Sequence, residues 1–400
     1  MTNKKFKLAA MSLATAVAVS TVGPSASAVT YYLGDGSVTV DQDGNGAFSY
    51  QVKEGESADG SDSNRTYVNE DKEDNGVIYV KDGNAPEVDS PSTDNSDNGT
   101  EAPTPTDNAT QSTDASGNNT ENSSTSETTT GNTITVMEDV KKTEKTDGTE
   151  GNDVKIVVEG VNVDTSTQTD TLTEAAPDTG NTGDKTIIKV GEGADVDLTV
   201  KDSNLTTGGN SIDIGVNLKD DDDNKETNVD LTLDNTKINL TEKDNTAGIV
   251  ARDHSTVNVT LKGENTIDGK EALEDAAEEA KIAKKEGTSS PNRNVEGIRV
   301  GGENAGDDSK GKGASLTIKG DETSDQGSLN IDHTSTGMVI SNDSDVTLTD
   351  NADVDIKHTE AGSSTQGGRG IVQRGDLTVE DKSSLTIDTV GSGAYKIDND

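Results

Sequence analysis

Six short segments of alternating apolar and polar residues recur through the second half of this sequence, and they limit what it can fold into. Each has an aliphatic residue at every second position, as in Val196–Val200, which predicts a strand with one buried face. All six carry a threonine at the same place: Thr199, Thr232, Thr260, Thr317, Thr347 and Thr378. Their spacings are 33, 28, 57, 30 and 31 residues, and the long one contains an inserted segment, 269–292. The period is therefore about 30 residues throughout.

The residues around each threonine strand predict how one period folds. A turn former stands three residues after each threonine, at Asp202, Asn235, Gly263, Gly320, Asp350 and Asp381. A second strand follows the turn, as in Val354–Ile356, and another precedes the threonine strand, as in Gly248–Val250. Three strands per period describe one coil of a parallel β-helix, an all-β solenoid whose coils stack ~4.8 Å apart and whose crossovers are right-handed. The alternative is an antiparallel sandwich, but it favours more even spacing and no threonine column.

The rest of the chain divides by composition. Lysines, an apolar run and the cleavage motif Ala26-Ser27-Ala28 are typical of a signal peptide, so we expect an exported protein. No later stretch reaches the ~18 apolar residues that a transmembrane segment needs. We assign 1–28 to the signal peptide, 29–83 to a small β-rich segment, 84–132 to a disordered, acidic Ser/Thr/Asn/Asp-rich linker, and 133–400 to the β-helix, with clear repeats from 186 and a helical insertion at 269–292. Because the repeat is still running at Asp400, we expect a longer protein.

Charge and composition exclude several functions. The net charge is −42, 28% of residues are apolar, 2% are aromatic, and cysteine is absent. Without cysteine there is no disulfide framework, thiolate metal site or cysteine nucleophile. An acidic surface of this kind does not favour nucleic acid as a partner. A thin core of small aliphatic residues accounts for a solenoid with so few apolar positions.

Two groups of residues with side-chain oxygen atoms suggest calcium binding, and calcium is the one cofactor for which the sequence offers candidate ligands. Asp41, Asp43 and Asn45 have the spacing of the first half of a calcium loop, but Val52 stands where the loop glutamate belongs, so a tight hairpin is the favoured interpretation. The second group stands two residues before the column threonines and consists of Asp197, Asp230, Asp345 and Asp376, with Asn258 and Ser315 completing the row. Stacked carboxylates repel one another, so we hypothesise that this face binds calcium weakly.

The sequence predicts no catalytic centre. Polysaccharide lyases and glycosidases also use β-helices, and glycosidases need a positioned pair of carboxylates. The densest acidic run, 220–223, lies in a polar loop, and the repeat has no Trp or Phe to bind sugar rings. Arg252, Arg299 and Arg374 recur near the ends of first strands, where pairing with neighbouring acids is the expected role. His254, His333 and His358 have no H-E-x-x-H spacing, so the sequence does not favour a metal site among them.

The repeat motifs also resemble a known class of proteins. Val257–Ile267, Ala314–Gly320 and Gly327–Ile331 are similar to β-helical repeats of adhesin-like surface proteins of Gram-positive bacteria (Firmicutes), which have pectate-lyase-like solenoids. The resemblance covers about residues 186–400 and implies a cell-surface, wall-associated protein. It implies a non-catalytic adhesin or structural stalk whose partners are host or microbial glycans or surface proteins. The alternatives are a β-helix polysaccharide lyase or glycoside hydrolase, and a calcium-dependent carbohydrate-binding module.

Overall fold

A computed structural model describes most of the repeat region and parts of the chain before it. The described residues are 29–33, 37–42, 48–53, 64–68, 77–82, 129–138, 140–141, 154–167, 185–218, 225–242, 245–286, 294–302, 313–321, 327–359, 368–389 and 393–397. The expected signal peptide, the acidic run 220–223, Asp43, Asn45 and all of the linker except 129–132 lie outside them.

The described strands form three sheets, here called A, B and C. Sheet A has nine strands in the order β1-β5-β8-β11-β14-β17-β20-β23-β26. Sheet B has eleven in the order β28-β25-β22-β19-β16-β13-β10-β7-β2-β3-β4, and sheet C has eight in the order β27-β24-β21-β18-β15-β12-β9-β6. The strands are β1 (Val29–Tyr32), β2 (Ser37–Gln42), β3 (Phe48–Lys53), β4 (Asn64–Val68), β5 (Val77–Lys81), β6 (Thr129–Thr130), β7 (Ile134–Val136), β8 (Lys155–Glu159), β9 (Asn162–Asp164), β10 (Ile188–Gly191), β11 (Asp195–Lys201), β12 (Asn204–Thr207), β13 (Ile212–Val216), β14 (Thr227–Asp234), β15 (Lys237–Leu240), β16 (Thr246–Ala251), β17 (Ser255–Lys262), β18 (Glu264–Asp268), β19 (Val295–Val300), β20 (Ser315–Gly320), β21 (Ser328–Asp332), β22 (Thr336–Ile340), β23 (Asp345–Thr349), β24 (Asp353–Thr359), β25 (Arg369–Gln373), β26 (Asp376–Val379), β27 (Ser384–Thr389) and β28 (Gly393–Ile397).

The chain visits the sheets in the order B, A, C, and each such circuit is one coil. Strands β13, β14 and β15 form one coil and pair in parallel with β16, β17 and β18 of the next. This arrangement confirms the predicted parallel β-helix. Strands from the segment 29–83 belong to it as well, since β2 pairs with β7 and β5 pairs with β8, both in parallel. Only the β2-β3-β4 ribbon at one edge of sheet B is antiparallel among the described strands.

The core is a narrow column of aliphatic side chains stacked from coil to coil. In sheet A, one row places equivalent residues opposite each other in successive coils: Leu198, Leu231, Val259, Ile318 and Leu348. Each is at most 1% exposed. Because every aliphatic side chain packs on its equivalents in the coils above and below, little apolar sequence is needed per coil.

Glycines near the beginning of the sheet B strands β16, β19 and β22 let these strands approach sheet C closely. A Cβ added to Gly248 would lie 2.7 Å from Cγ2 of Ile267, and the equivalent atom on Gly297 would overlap Ile331. Gly337 and Ile356 repeat the relationship one coil later. The recurring Gly-Ile or Gly-Met step is therefore a packing requirement, because an isoleucine of sheet C fills the space beside each glycine.

The corners between sheets A and C lie where the sequence predicted turns, and most of the turn formers there adopt the left-handed backbone conformation. The φ angles are 47° at Asp202, 51° at Asn235, 60° at Gly263, 53° at Asp350 and 49° at Asp381. Glycine, asparagine and aspartate accept this conformation most readily. Gly320 differs from the other five predicted turn formers, because it is the last residue of β20 and its φ is not positive. The corner therefore has the same conformation at the other five positions, which keeps these coils aligned.

A helix, α1 (Lys270–Glu286), stands between β18 and β19 and contacts β15. The Asp268 carboxylate accepts a 2.9 Å hydrogen bond from the backbone N–H of Lys270 at the start of the helix. Ala272, Leu273 and Ala276 face the solenoid and are buried, whereas Ile282 is 49% exposed. No helix in the described part of the chain has the length and apolar character needed to cross a membrane.

Candidate functional site

The outer face of sheet A carries the acidic row that the sequence predicted, but the structure divides this row in two. Asp197 lies opposite Asp230, and Asp230 lies opposite Asn258. Asn258, however, lies opposite Thr317, whereas Ser315 lies opposite Thr256. Alternation has a period of two residues, so a two-residue shift between β17 and β20 leaves the same faces buried and cannot be detected from the pattern. The expected single column of threonines is broken at the same step, where Thr260 meets Lys319.

Within each half of the row, amide and hydroxyl groups relieve the repulsion between carboxylates. The Asn258 amide donates a 2.9 Å hydrogen bond to Oδ1 of Asp230, and the Ser315 hydroxyl donates a 2.5 Å bond to Oδ2 of Asp345. The adjacent coil places Asp376 opposite Asp345. The structure therefore brings Asp197 to Asp230 and Asp345 to Asp376, but does not unite the four.

The loop-like candidate for calcium is only partly described. Asp41 is the last but one residue of β2 and lies on its outer side. Its Oδ1 accepts a 2.8 Å hydrogen bond from the backbone N–H of Gln42. Asp43 and Asn45 lie outside the described residues. β2 and β3, which precede and follow them in the chain, pair in antiparallel register as a hairpin requires, and the turn itself lies outside the described residues.

A row of alternating charge runs along the last position of the sheet A strands. Lys81 lies opposite Glu159, Glu159 opposite Lys201, and the row continues through Asp234 to Lys262. The Nζ of Lys201 is 3.3 Å from Oε1 of Glu159, and this hydrogen bond, together with the charges of Glu159 and Asp202, raises the pKa of Lys201. Opposite charges stacked one coil apart favour this coil-to-coil register.

The outer face of sheet B is buried in strands β13, β16, β19 and β22, and two ion pairs lie there. Nε of Arg252 is 2.8 Å from Oδ1 of Asp213, and Nη2 is 2.9 Å from Oδ2. Nε of Arg299 is 2.5 Å from Oε2 of Glu296, and both side chains are at least nine-tenths buried. These contacts confirm, for Arg252 and Arg299, the predicted pairing of arginines with neighbouring acids.

The carboxylate of Asp213 stays ionised in spite of its burial. Burial alone raises the pKa of Asp213, but the charge and hydrogen bonds of Arg252, with help from the Asn210 amide and the Arg299 charge, outweigh it and leave that pKa below its ordinary value. Asn210 contributes a 2.8 Å hydrogen bond to Oδ2. The ion pair between Arg252 and Asp213 therefore connects the corner that follows β16 to the outer face of β13.

Two of the three histidines come together at the end of sheet C, where they form a cluster with two aspartates. We call Asp268, Asp332, His333 and His358 the histidine cluster. Asp332 lies opposite Lys357 in the paired strands, so the histidines that follow each of them are neighbours in adjacent coils. Their imidazole rings stack with centroids 5.2 Å apart and planes 14° from parallel. His254 is not part of this cluster.

The ring nitrogens of the cluster point at carboxylate oxygens. Nδ1 of His358 is 2.8 Å from Oδ1 of Asp332, and Nδ1 of His333 is 3.3 Å from the same oxygen. Nδ1 of His333 is also 3.2 Å from Oδ1 of Asp268, one coil further back. The side chain of His333 is 28% exposed and that of His358 is 55% exposed, so solvent reaches the cluster.

A groove of about 600 Å³ opens beside the histidine cluster, between α1 and the outer face of sheet C. Its lining is mainly polar and consists of Thr206, Asn239, Leu240, Asp268, Lys270, Glu271 and Glu274. Asp268 belongs to both the groove and the cluster. The helical insertion therefore creates a concave, carboxylate-bearing surface on an otherwise regular solenoid.

Sequence reasoning missed the histidine cluster, although a local signal was present. The strand ends Ile331-Asp332-His333-Thr334 and Ile356-Lys357-His358-Thr359 share the pattern Ile-x-His-Thr. Aligning the two coils on this pattern places the histidines side by side. A search for a fixed spacing such as H-E-x-x-H cannot detect ligands that come from different coils.

These features define the class of the protein as a parallel β-helical solenoid with a helical insertion at one corner. No protein-family model, curated protein or solved structure matches the chain.

Proposed function

We propose that this chain is an exported cell-surface protein whose β-helix acts as a non-catalytic, adhesin-like binding surface and structural stalk. The expected signal peptide and the resemblance of the repeats to adhesin-like proteins of Gram-positive bacteria support export and a place at the cell wall. Fold alone does not decide function on a scaffold that enzymes and adhesins share. The proposal therefore depends on what the outer surface offers.

The observation that carries it is the regular row structure of the outer faces of sheets A and C. In sheet C, the Asn204 amide donates a 2.8 Å hydrogen bond to Asn162, and the Asn239 amide donates a 2.8 Å bond to Asn204. Thr199, Thr232 and Thr260 form a comparable row on sheet A. Such rows repeat polar groups every ~4.8 Å along the solenoid axis. A repeating polymer such as a glycan presents polar groups at regular intervals and is the partner that this surface suits.

Binding and catalysis are separated by one experiment. Purified protein is incubated, with calcium, with plant, mucin and microbial polysaccharides, and both retention on the polymer and release of reducing ends or unsaturated products are measured. Retention on at least one polymer without product release is the expected result. Product release from any polymer would contradict the non-catalytic proposal. Surface labelling of intact native cells with an antibody tests localisation separately, and labelling only after lysis would contradict export.

One observation favours the alternative of a polysaccharide lyase or glycoside hydrolase. The groove beside α1 carries three carboxylates, Asp268, Glu271 and Glu274, and a glycosidase needs two carboxyl groups on opposite sides of the scissile bond. If products are released, Glu271→Gln and Glu274→Gln are the variants to measure first. Loss of product release in either would place catalysis in the groove, and full retention in both would place it elsewhere.

A further inference from the structure

The histidine cluster brings together ligands that the chain places far apart. His333 and His358 both have the left-handed backbone conformation, with φ angles of 48° and 46°. Each follows the end of the apolar pattern of its strand, so the same turn directs both rings to the same side of the solenoid. The parallel register of β21 and β24 then stacks them one coil apart.

The donor atoms already lie at distances close to those of a metal coordination sphere. One ligand atom each from Asp332, His333 and His358 lies within 4.8 Å of the others. Zinc binds histidine nitrogen and carboxylate oxygen at about 2.0–2.2 Å, so neighbouring ligands of a tetrahedral site are roughly 3.3 Å apart. The distances from Oδ1 of Asp332 to the two Nδ1 atoms, 2.8 and 3.3 Å, approach this separation. The two rings are stacked at 14° from parallel, so they must tilt apart for both Nδ1 lone pairs to point to one ion, and their partial exposure leaves room for this movement.

We propose that Asp332, His333 and His358 bind a divalent transition-metal ion of the zinc type, with Asp268 or water as the fourth ligand. Two imidazole nitrogens select zinc, copper or nickel, whereas calcium prefers six to eight oxygen ligands. This site is therefore different from the oxygen-rich rows considered for calcium. It does not depend on the proposed surface function.

The neighbouring cation does not occupy the place of the metal. Nζ of Lys357, the residue opposite Asp332, is 2.7 Å from Oδ2 of Asp355 and 3.2 Å from Oδ1 of Asn330. These bonds hold the ammonium group along the face of sheet C. Oδ1 of Asp268 accepts the Lys270 N–H and Oδ1 of Asp332 accepts the His333 N–H at 2.9 Å, so a cation on the side of the histidines would use the remaining lone pairs of these carboxylates.

Metal binding at this place joins separate coils. Asp268 belongs to β18, Asp332 to β21 and His358 to β24, which are consecutive strands of sheet C. An ion that binds the folded arrangement, but not the separated ligands of the unfolded chain, stabilises the fold by an amount that grows with the logarithm of its concentration above the dissociation constant. The cluster thus acts as a metal-dependent clip across the corner that follows sheet C.

The test is zinc titration of the purified, chelator-treated protein by calorimetry in the presence of excess magnesium, which occupies non-specific carboxylates. We expect one saturable zinc site per chain and a higher thermal midpoint with zinc than with magnesium alone. His333→Asn and His358→Asn keep a residue that tolerates the left-handed conformation. Each is expected to weaken zinc binding by at least roughly tenfold, since even hydrogen-bonding neighbours of a ligand contribute that much.

His254→Asn is the matched control, because His254 has the same backbone conformation, with φ of 65°, but lies outside the cluster. It should leave zinc affinity unchanged. Circular dichroism of each variant without metal checks the fold. Cobalt titration adds a readout of ligand type, because imidazole ligation changes the visible absorption of the ion. No saturable zinc binding, or equal binding by the wild type and both cluster variants, would overturn the proposal.

Discussion

The side chain of Ile331 in sheet C fills the space that a Cβ on Gly297 in sheet B would require. The carbonyl oxygen of Gly337, one coil further on, also lies within this space. The glycine is thus enclosed by a side chain of its own coil and by the backbone of the next. Replacing it must move one of two rigid parts of the solenoid.

We expect Gly297→Ala to lower the free energy of unfolding by about 3 kcal/mol, since overpacking a close-packed core has costs of this size. Gly160→Ala is the control. A Cβ added at Gly160 meets nothing within 4 Å, but the backbone of Gly160 has a φ of 67°. The control should cost only about 1 kcal/mol, the cost of left-handed backbone in a residue with a side chain. Urea unfolding measures both, and equal losses would contradict the packing role of Gly297.

The buried pair between Glu296 and Arg299 gives a second prediction. Glu296→Gln removes the charge that pairs with a guanidinium that is only 7% exposed, so we expect a loss of about 3 kcal/mol. Nη2 of Arg299 has no hydrogen-bond partner among the described residues, so no second contact at that nitrogen compensates. Urea unfolding at neutral pH measures the loss.

The matched control is Glu278→Gln in the exposed pair with Lys281, whose side chains are 68% and 73% exposed. A surface pair of this kind contributes little, and we expect a change below about 0.5 kcal/mol. Similar losses for Glu278→Gln and Glu296→Gln would show that burial does not determine the strength of the inner pair.

Asp213 makes stability depend on pH. The pKa of Asp213 in the folded protein lies below its ordinary value of about 4. The ionised carboxylate therefore contributes its full share of the folding stability above about pH 4. This stabilisation is lost as the pH falls through the pKa of the folded state. Asp213→Asn should therefore be less stable than the wild type at about pH 7, with a difference that shrinks as the solution is acidified below about pH 4. Unfolding midpoints across this range measure the difference, and a gap that stays constant would contradict the role of the charge.

Calcium binding by the acidic rows of sheet A stays a prediction. If Asp197 with Asp230, or Asp345 with Asp376, holds calcium, the thermal midpoint should rise more in calcium than in magnesium at matched ionic strength. Asp230→Asn should reduce that difference, because it removes one carboxylate of the first pair. Equal midpoints in the two salts would exclude calcium as a ligand of these rows.

Local signals predicted the coil, but not the relations between coils. Alternation and turn formers were enough to place the strands and the turns at Asp202 and Asn235, because both depend on neighbouring residues. The shift that sets Asn258 opposite Thr317 leaves alternation unchanged, so the sequence could not reveal it. The approach of His333 to His358 depends on a different register, that of β21 with β24, and the shared Ile-x-His-Thr pattern indicates it only when the two coils are aligned on that pattern. Burial of Asp213 and Arg299 on the outer face of sheet B had no local signal either.

The corner that carries α1 shows where this solenoid tolerates change in length. Asp268 and Asp332 remain in register although α1 and the residues after it separate β18 from β19, and β16 still pairs with β19. The inserted segment begins after β18 and ends before β19, and the pairing of β18 with β21 and of β16 with β19 is kept. A foreign peptide placed in the same corner would therefore be displayed beside sheet C with both of these strand pairings kept, which makes this insertion point a natural position for grafting an epitope or a binding loop.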